Sequence, residues 1–200
     1  MKYLQKPYWF FKKNRSVIYS ENPRFIEVSI VQRAAYPAKL IGGRFMVLNP
    51  HYTLIGGNYL VASLITIQGN TIKTLEEQDL NIALLMYGSV IITKGDDYNA
   101  FVKKDYSSKY IEVLRIYPND VFGVNLSEEL FYNKDWKVGD RITVVNGYYK
   151  KALGGELAIG YIEGIVWEKR DKTYNLEEID KFDQTLYIYI RFLPNFYFVQ

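Results

Sequence analysis

The chain has 200 residues, 48% of them apolar, with 19 Tyr, 11 Phe and no cysteine. That length holds one large domain or two small ones, and the lack of cysteine excludes disulfides, thiolate metal sites and a cysteine nucleophile. The net charge of +3 is uneven: residues 1–50 carry nine Lys/Arg against Glu21 and Glu27, and residues 51–100 carry two against five acids. A basic N-terminal quarter suits an anionic partner.

The first residues, MKYLQKPYWFFKKNR, have no apolar core or cleavage site of a signal peptide, and no apolar run reaches the length of a membrane span. The expectation is a soluble cytoplasmic protein with no membrane partner. Absent cysteine, mixed charges and abundant Tyr and Ile also suit a thermophilic host.

Strand patterns rich in Val, Ile, Tyr and Phe, bounded by Gly, Asn, Asp and Pro, run in chain order over 8–19, 24–31, 44–49, 58–67, 82–93, 109–117, 121–126, 141–149, 156–162 and 164–169. Helical signals are few: 127–133 (SEELFYN) opens on a Ser, and Asn175 with Glu178 resembles a capping box opening a short helix to about 181. A final alternating strand, 185–192 (TLYIYIRF), puts Leu186, Ile188, Ile190 and Phe192 on one face and Tyr187, Tyr189 and Arg191 on the other. Many short strands with turns between them predict a barrel or sandwich.

The chain also repeats itself. Arg44-Phe-Met-Val-Leu before Asn49 lies over Arg141-Ile-Thr-Val-Val before Asn146, and each Asn is followed by aromatic positions, a Gly-Gly (Gly56-Gly57, Gly154-Gly155) and a second apolar run. Upstream, Ile18-Tyr19 lies over Ile116-Tyr117, each followed by a polar turn and another strand. A repeated supersecondary unit predicts a repeated domain.

Within the second copy, Lys137-Val138-Gly139-Asp140 opens a strand, Ile142-Thr143-Val144-Val145-Asn146-Gly147-Tyr148 follows, and Glu156-Leu157-Ala158-Ile159-Gly160 comes after a Gly-containing hairpin. This succession resembles an OB-fold of the replication protein A and archaeal single-stranded DNA-binding protein type. Where that family often has a Trp at the end of strand three, this chain reads Asn125-Leu126-Ser127-Glu128-Glu129. The resemblance implies an all-β chain of two OB-like small barrels in tandem, with a short C-terminal helix and strand. Residues 1–75 would form an incomplete unit and 81–170 a complete one. Residues 171–200 would close the first unit or mediate assembly.

The same resemblance implies single-stranded DNA or RNA as partner, held in a groove over strands two and three and the loops beside it. Aromatic faces beside lysines are what sequence-tolerant binding needs. The candidates are Tyr148, Tyr149, Lys150 and Lys151 on the hairpin, Arg115 and Tyr117 at the end of strand two, and Lys103, Lys104 and Tyr106 on the loop before it. The first unit adds Tyr52 and the basic, aromatic N-terminal stretch with Lys12, Lys13 and Arg15. Catalysis is not expected: His51 is the only histidine, Asp96-Asp97 lacks a third acid nearby, and no Gly-rich phosphate loop, metal signature or cofactor motif is present. The alternative reading is a structural protein, a viral or replisome scaffold, whose β-domains and C-terminal strand bind other proteins or further copies of the chain.

Overall fold

The computed structural model describes residues 17–20, 24–30, 39–48, 60–74, 79–93, 96–97, 109–125, 130–169 and 184–198. The first stretch of chain contributes β1 (Val17–Ser20), β2 (Arg24–Ile30), β3 (Lys39–Leu40), β4 (Phe45–Leu48), β5 (Leu60–Gln68), β6 (Thr71–Thr74) and β7 (Asp79–Leu80). A short helix, α1 (Ala83–Tyr87), leads into β8 (Ser89–Ile92), β9 (Asp96–Asp97), β10 (Lys109–Arg115) and β11 (Val121–Asn125). The order ends with β12 (Arg141–Val145), β13 (Tyr148–Lys151), β14 (Leu157–Lys169) and β15 (Gln184–Phe198). The protein is all-β in class, and among the described residues no helix is long and apolar enough to cross a membrane.

One sheet has the order β2-β10-β8-β4-β5-β6-β7, and β2 also pairs in parallel with β5 through Val28↔Leu60, Ser29↔Val61 and Ile30↔Ala62. The pairings β2–β10–β8–β4–β5–β2 therefore return to their starting strand, a ring of five. Successive side chains on a strand point to opposite faces, and the ring sorts its residues accordingly. Val28, Met46, Ala62, Leu64, Val90, Ile92, Ile111 and Val113 form one buried cluster made only of ring residues. Their neighbours Phe45, Val47, Ile65, Ile67, Ile91 and Leu114 belong to a larger cluster shared with the other sheet. Burial on both faces is why these strands read as unbroken apolar runs.

The other sheet has six strands, all antiparallel, in the order β1-β11-β15-β14-β12-β13. Phe122, Val124, Ile142, Val144, Ile190 and Phe192 are its main contributions to the shared cluster. Phe45 of the ring meets Phe192 of this sheet at 5.9 Å between ring centroids.

In both copies the strand before the aligned Asn pairs antiparallel with the strand after the Gly-Gly, β4 with β5 and β12 with β14. Upstream the copies exchange partners. β2 of the first copy pairs along its whole length with β10 of the second, and β1 of the first pairs with β11 of the second.

Strands of 82–169 are thus not mutual neighbours in the order expected for one barrel. β8 and β10 join strands of 24–74, while β11, β12 and β14 lie in the other sheet. The corner between β10 and β11 is responsible. Asp120 Oδ2 accepts the Tyr117 N–H at 2.9 Å, the Asp120 N–H donates back to the Tyr117 carbonyl at 3.0 Å, and Asn119 takes a left-handed φ of 68°. That tight turn carries the chain from one sheet to the other. The C-terminal strand also differs from expectation: β15 lies between β11 and β14 and pairs with no described strand of the first copy.

Three local expectations change. Residues 82–93, expected as one strand, divide into α1 and β8. Asn81 Oδ1 accepts the Ala83 N–H at 3.0 Å, the run Ala83-Leu-Leu-Met is made of strong helix formers, and the Gly88 N–H closes the turn on the Leu84 carbonyl at 2.7 Å. Residues 141–149, expected as one strand, form a hairpin that turns at Asn146-Gly147, with φ of 48° and 76°. Positive φ at both central residues is what a two-residue type I′ turn requires. Residues 130–133 are not helical, because Phe131 bridges Tyr149 in parallel; 126–129 and the expected helix at 175–181 lie outside the described residues.

Candidate nucleic-acid interface

Alternation along β13 decides what each residue of the Tyr-Tyr-Lys-Lys hairpin can touch. Tyr149 faces the shared core and is fully buried. Its ring stacks on Phe131 with centroids 4.9 Å apart, and its hydroxyl donates to the Gly43 carbonyl at 2.8 Å. Burial pushes the phenol pKa far upward, so the group stays neutral. No base can reach it, and its expected role in stacking is corrected.

Lys151 is also consumed within the fold. Its Nζ lies 3.0 Å from Asp140 Oδ2 and 3.1 Å from Asp135 Oδ2, donates to the Asp135 carbonyl at 2.6 Å, and sits 5.6 Å from the Trp136 ring centre. Burial alone would lower its pKa, but hydrogen bonds to Asp140 and Asp135 hold it above the ordinary lysine value. The Lys151 hydrogen bond in turn holds the Asp135 carboxyl below the usual carboxylate range. Lys150 stands 3.8 Å from Glu156 Oε1. Neither lysine is presented as an uncommitted phosphate ligand.

Tyr148 is half-buried, with the Arg44 guanidinium 4.0 Å over its ring and the exposed Tyr132 edge-on at 5.9 Å. Arg44 itself is fully buried and donates from Nη2 and Nε to the Asn146 carbonyl at 2.5 and 3.2 Å. The turn is further fixed by Gly147 N–H to the Ile65 carbonyl at 2.8 Å and Phe45 N–H to the Gly147 carbonyl at 2.9 Å. Thr66 Oγ1 donates to Asn146 Oδ1 at 3.0 Å and accepts the Asn146 N–H at 2.9 Å. The hairpin therefore ties the two sheets together between β4 and β5.

The basic and aromatic groups that remain open lie elsewhere. Arg115, at the end of β10, stands opposite Arg24 in the β2–β10 register. Tyr117 lies beside both: Arg24 Nη1 donates to its hydroxyl at 3.2 Å, and the Arg24 and Arg115 guanidinium carbons are 4.8 and 5.1 Å from its ring centre. Arg115 Nη2 donates to the Tyr87 carbonyl at 2.7 Å, which ties the end of α1 to the group, and the Tyr87 side chain is 64% exposed. Among the described residues neither arginine has a carboxylate partner. Arg24 and Tyr87 were not singled out in the sequence. Arg24 acquires its meaning only from the β2–β10 pairing, and Tyr87 lay hidden in an expected strand.

Of the other candidates, Lys12, Lys13, Arg15, Tyr52, Lys103, Lys104 and Tyr106 lie outside the described residues. Tyr189, expected on the face of the C-terminal strand opposite Ile188 and Ile190, is buried. Arg191 is clamped by Glu163, with Nε to Oε2 at 2.5 Å and Nη2 to Oε1 at 2.8 Å, and donates to the Asn119 carbonyl at 2.8 Å.

No protein-family model, curated protein or solved structure matches the chain. Among the described residues no group of three or more His, Asp or Glu side chains is placed to hold a metal ion.

Proposed function

We propose that the protein is a non-enzymatic binder of single-stranded nucleic acid, contacting phosphates with arginine and stacking bases on tyrosine. The observation that carries this reading is the Arg24–Tyr117–Arg115 group beside the exposed Tyr87, basic and aromatic side chains gathered from three segments of chain. Arginine without a carboxylate partner attracts phosphate, and an exposed ring offers a face to any base.

A five-strand ring is the size of an OB-type barrel, although residues 137–160, which carry the resemblance, lie in the other sheet. On this reading the OB-like unit takes strands from both copies: β8 and β10 from the second, β2, β4 and β5 from the first. Tyr132 and Tyr148 form a second aromatic pair on the other sheet.

The assembly reading has less support. β15 is flanked by β14 along its length and by β11 over 187–191. The outer edge of β13 is covered by 130–132, through Tyr132 N–H to the Tyr149 carbonyl at 2.9 Å and Tyr149 N–H to the Leu130 carbonyl at 3.0 Å. Covered edges do not template another chain.

The test is a fluorescence titration with labelled oligonucleotides. Binding at low salt that weakens steeply as salt rises is the expected outcome; no binding at low salt refutes the proposal.

A further inference from the structure

We infer that Arg24 and Arg115 form a single seat for one backbone phosphate, with the Tyr87 ring as platform for the base of the adjoining nucleotide. This rests on the nucleic-acid reading above and specifies how its site works.

Two cations directly opposite on paired strands repel each other and weaken the pairing. Here Arg24 and Arg115 occupy such a position, and no carboxylate among the described residues stands with them to relieve it. The nearest acid in the turn, Asp120, accepts the Tyr117 backbone N–H. Tyr117 instead keeps both guanidiniums near one ring, at 4.8 and 5.1 Å from its centre. Two opposed cations disfavour the pairing, and an anion between them relieves the repulsion.

A phosphodiester matches the arginine pair in charge and in its acceptor oxygens. Guanidinium groups match phosphate oxygens through paired N–H donors. Arg24 is exposed, and among the described residues the one side-chain hydrogen bond it makes is from Nη1 to Tyr117, which leaves Nε and Nη2 for an incoming oxygen. Arg115 Nη2 donates to the Tyr87 carbonyl, which ties the backbone that carries the exposed Tyr87 ring to the seat. An acidic peptide satisfies the charge, but only a nucleic acid carries a planar base beside every phosphate, which favours the nucleotide.

The experiment is a titration of wild type, Arg24→Gln, Arg115→Gln and the double variant with a labelled thymidine oligomer across a range of salt concentrations. One shared phosphate predicts that each single variant, in which the other arginine still neutralises that phosphate, weakens binding with the slope of log affinity against log salt little changed, and that the double variant lowers the slope by about 0.7. A loss near twice that in the double variant means two separate phosphates and overturns the shared seat. An unchanged affinity in Arg24→Gln, or a slope lowered by about 0.7 in that variant alone, overturns it as well. Because Arg24 is exposed, that variant keeps the test valid if Arg115→Gln fails to fold.

Tyr87→Ala is expected to weaken binding with the slope unchanged; full affinity in this variant removes the platform from the account. Poly-glutamate bound as tightly as the oligomer, with the same dependence on Arg24, would assign the site to acidic protein and overturn the inference. So would inorganic phosphate that binds through Arg24 while the oligomer does not. Failure of the broader nucleic-acid reading looks different: wild type would not bind the oligomer at any salt concentration.

Discussion

The Tyr149 hydroxyl donates to the carbonyl of Gly43, 2.8 Å away and 106 residues earlier in the chain. A residue whose sequence context suggests a grip on a ligand is instead a buried cross-tie between the two sheets. Tyr149→Phe leaves the Gly43 carbonyl without this donor and should cost about 1–3 kcal/mol, read from urea unfolding.

The same residue sets a pH dependence. Burial raises the Tyr149 pKa, so above the ordinary tyrosine value of 10.0 the unfolded chain loses this proton first. Stability from the neutral phenol is therefore full below pH 10.0 and falls as pH rises further. Unfolding free energies measured through that range should fall less steeply in Tyr149→Phe than in wild type.

Two glycines separate strain from crowding. Gly147 has φ of 76°, and a Cβ there would stand 2.5 Å from the Phe45 carbonyl oxygen and 2.8 Å from Leu64 Cδ2. Gly155 has φ of 81° but nothing within 4 Å of a Cβ. Gly155→Ala should cost about 1 kcal/mol from backbone conformation alone, and Gly147→Ala several-fold more, because β4 must also move. Equal losses in thermal melts would show that the Asn146-Gly147 turn does not dock as described.

Lys151 and Asp135 give a second pH signature. The Lys151 pKa is raised, so its contribution is full below the ordinary value of 10.5 and lost as pH rises beyond it. The Asp135 pKa is lowered, so its contribution is full above 3.8 and lost as pH falls below it. Lys151→Met should lower the melting temperature most between these limits and leave oligonucleotide affinity nearly unchanged. A large loss of affinity with no change in melting temperature would return the lysine to the binding surface.

The exchange of strands between copies carries its own expectation. Val28, Met46, Ala62 and Leu64 share the ring cluster with Val90, Ile92, Ile111 and Val113, which lie beyond residue 80. Fragments 1–80 and 81–200 expressed separately should show no cooperative thermal transition, and mixing them should restore one. A cooperative melt from residues 81–200 alone would favour a self-contained second unit.

Much of the strand content was legible because alternation and β-branched composition are local signals, as in β2, β5, β10 and β11. The Asn146-Gly147 turn was equally local; it was obscured because Thr143-Val144-Val145 and Tyr148-Tyr149 read as one apolar run. Strand partners were not legible. β10 and β11 are neighbours in sequence, where adjacent strands usually pair, yet the Tyr117–Asp120 corner sends them to different sheets. The candidate site suffered from the same limit. Arg115 and Tyr117 could be picked by type, but Arg24 joins them only through the long-range β2–β10 register, and the burial of Tyr149 depends on the opposite sheet.

The most direct test compares the arginine group with the hairpin in one experiment: oligonucleotide titrations of wild type, Arg24→Gln and Lys150→Gln at low salt. Binding at the arginine pair predicts a loss of roughly tenfold or more for Arg24→Gln, the scale of a charge-assisted phosphate contact. Lys150→Gln, which alters a residue already near Glu156, should change affinity less than about twofold. The reverse order, with Lys150→Gln the damaging change and Arg24→Gln neutral, would contradict the account.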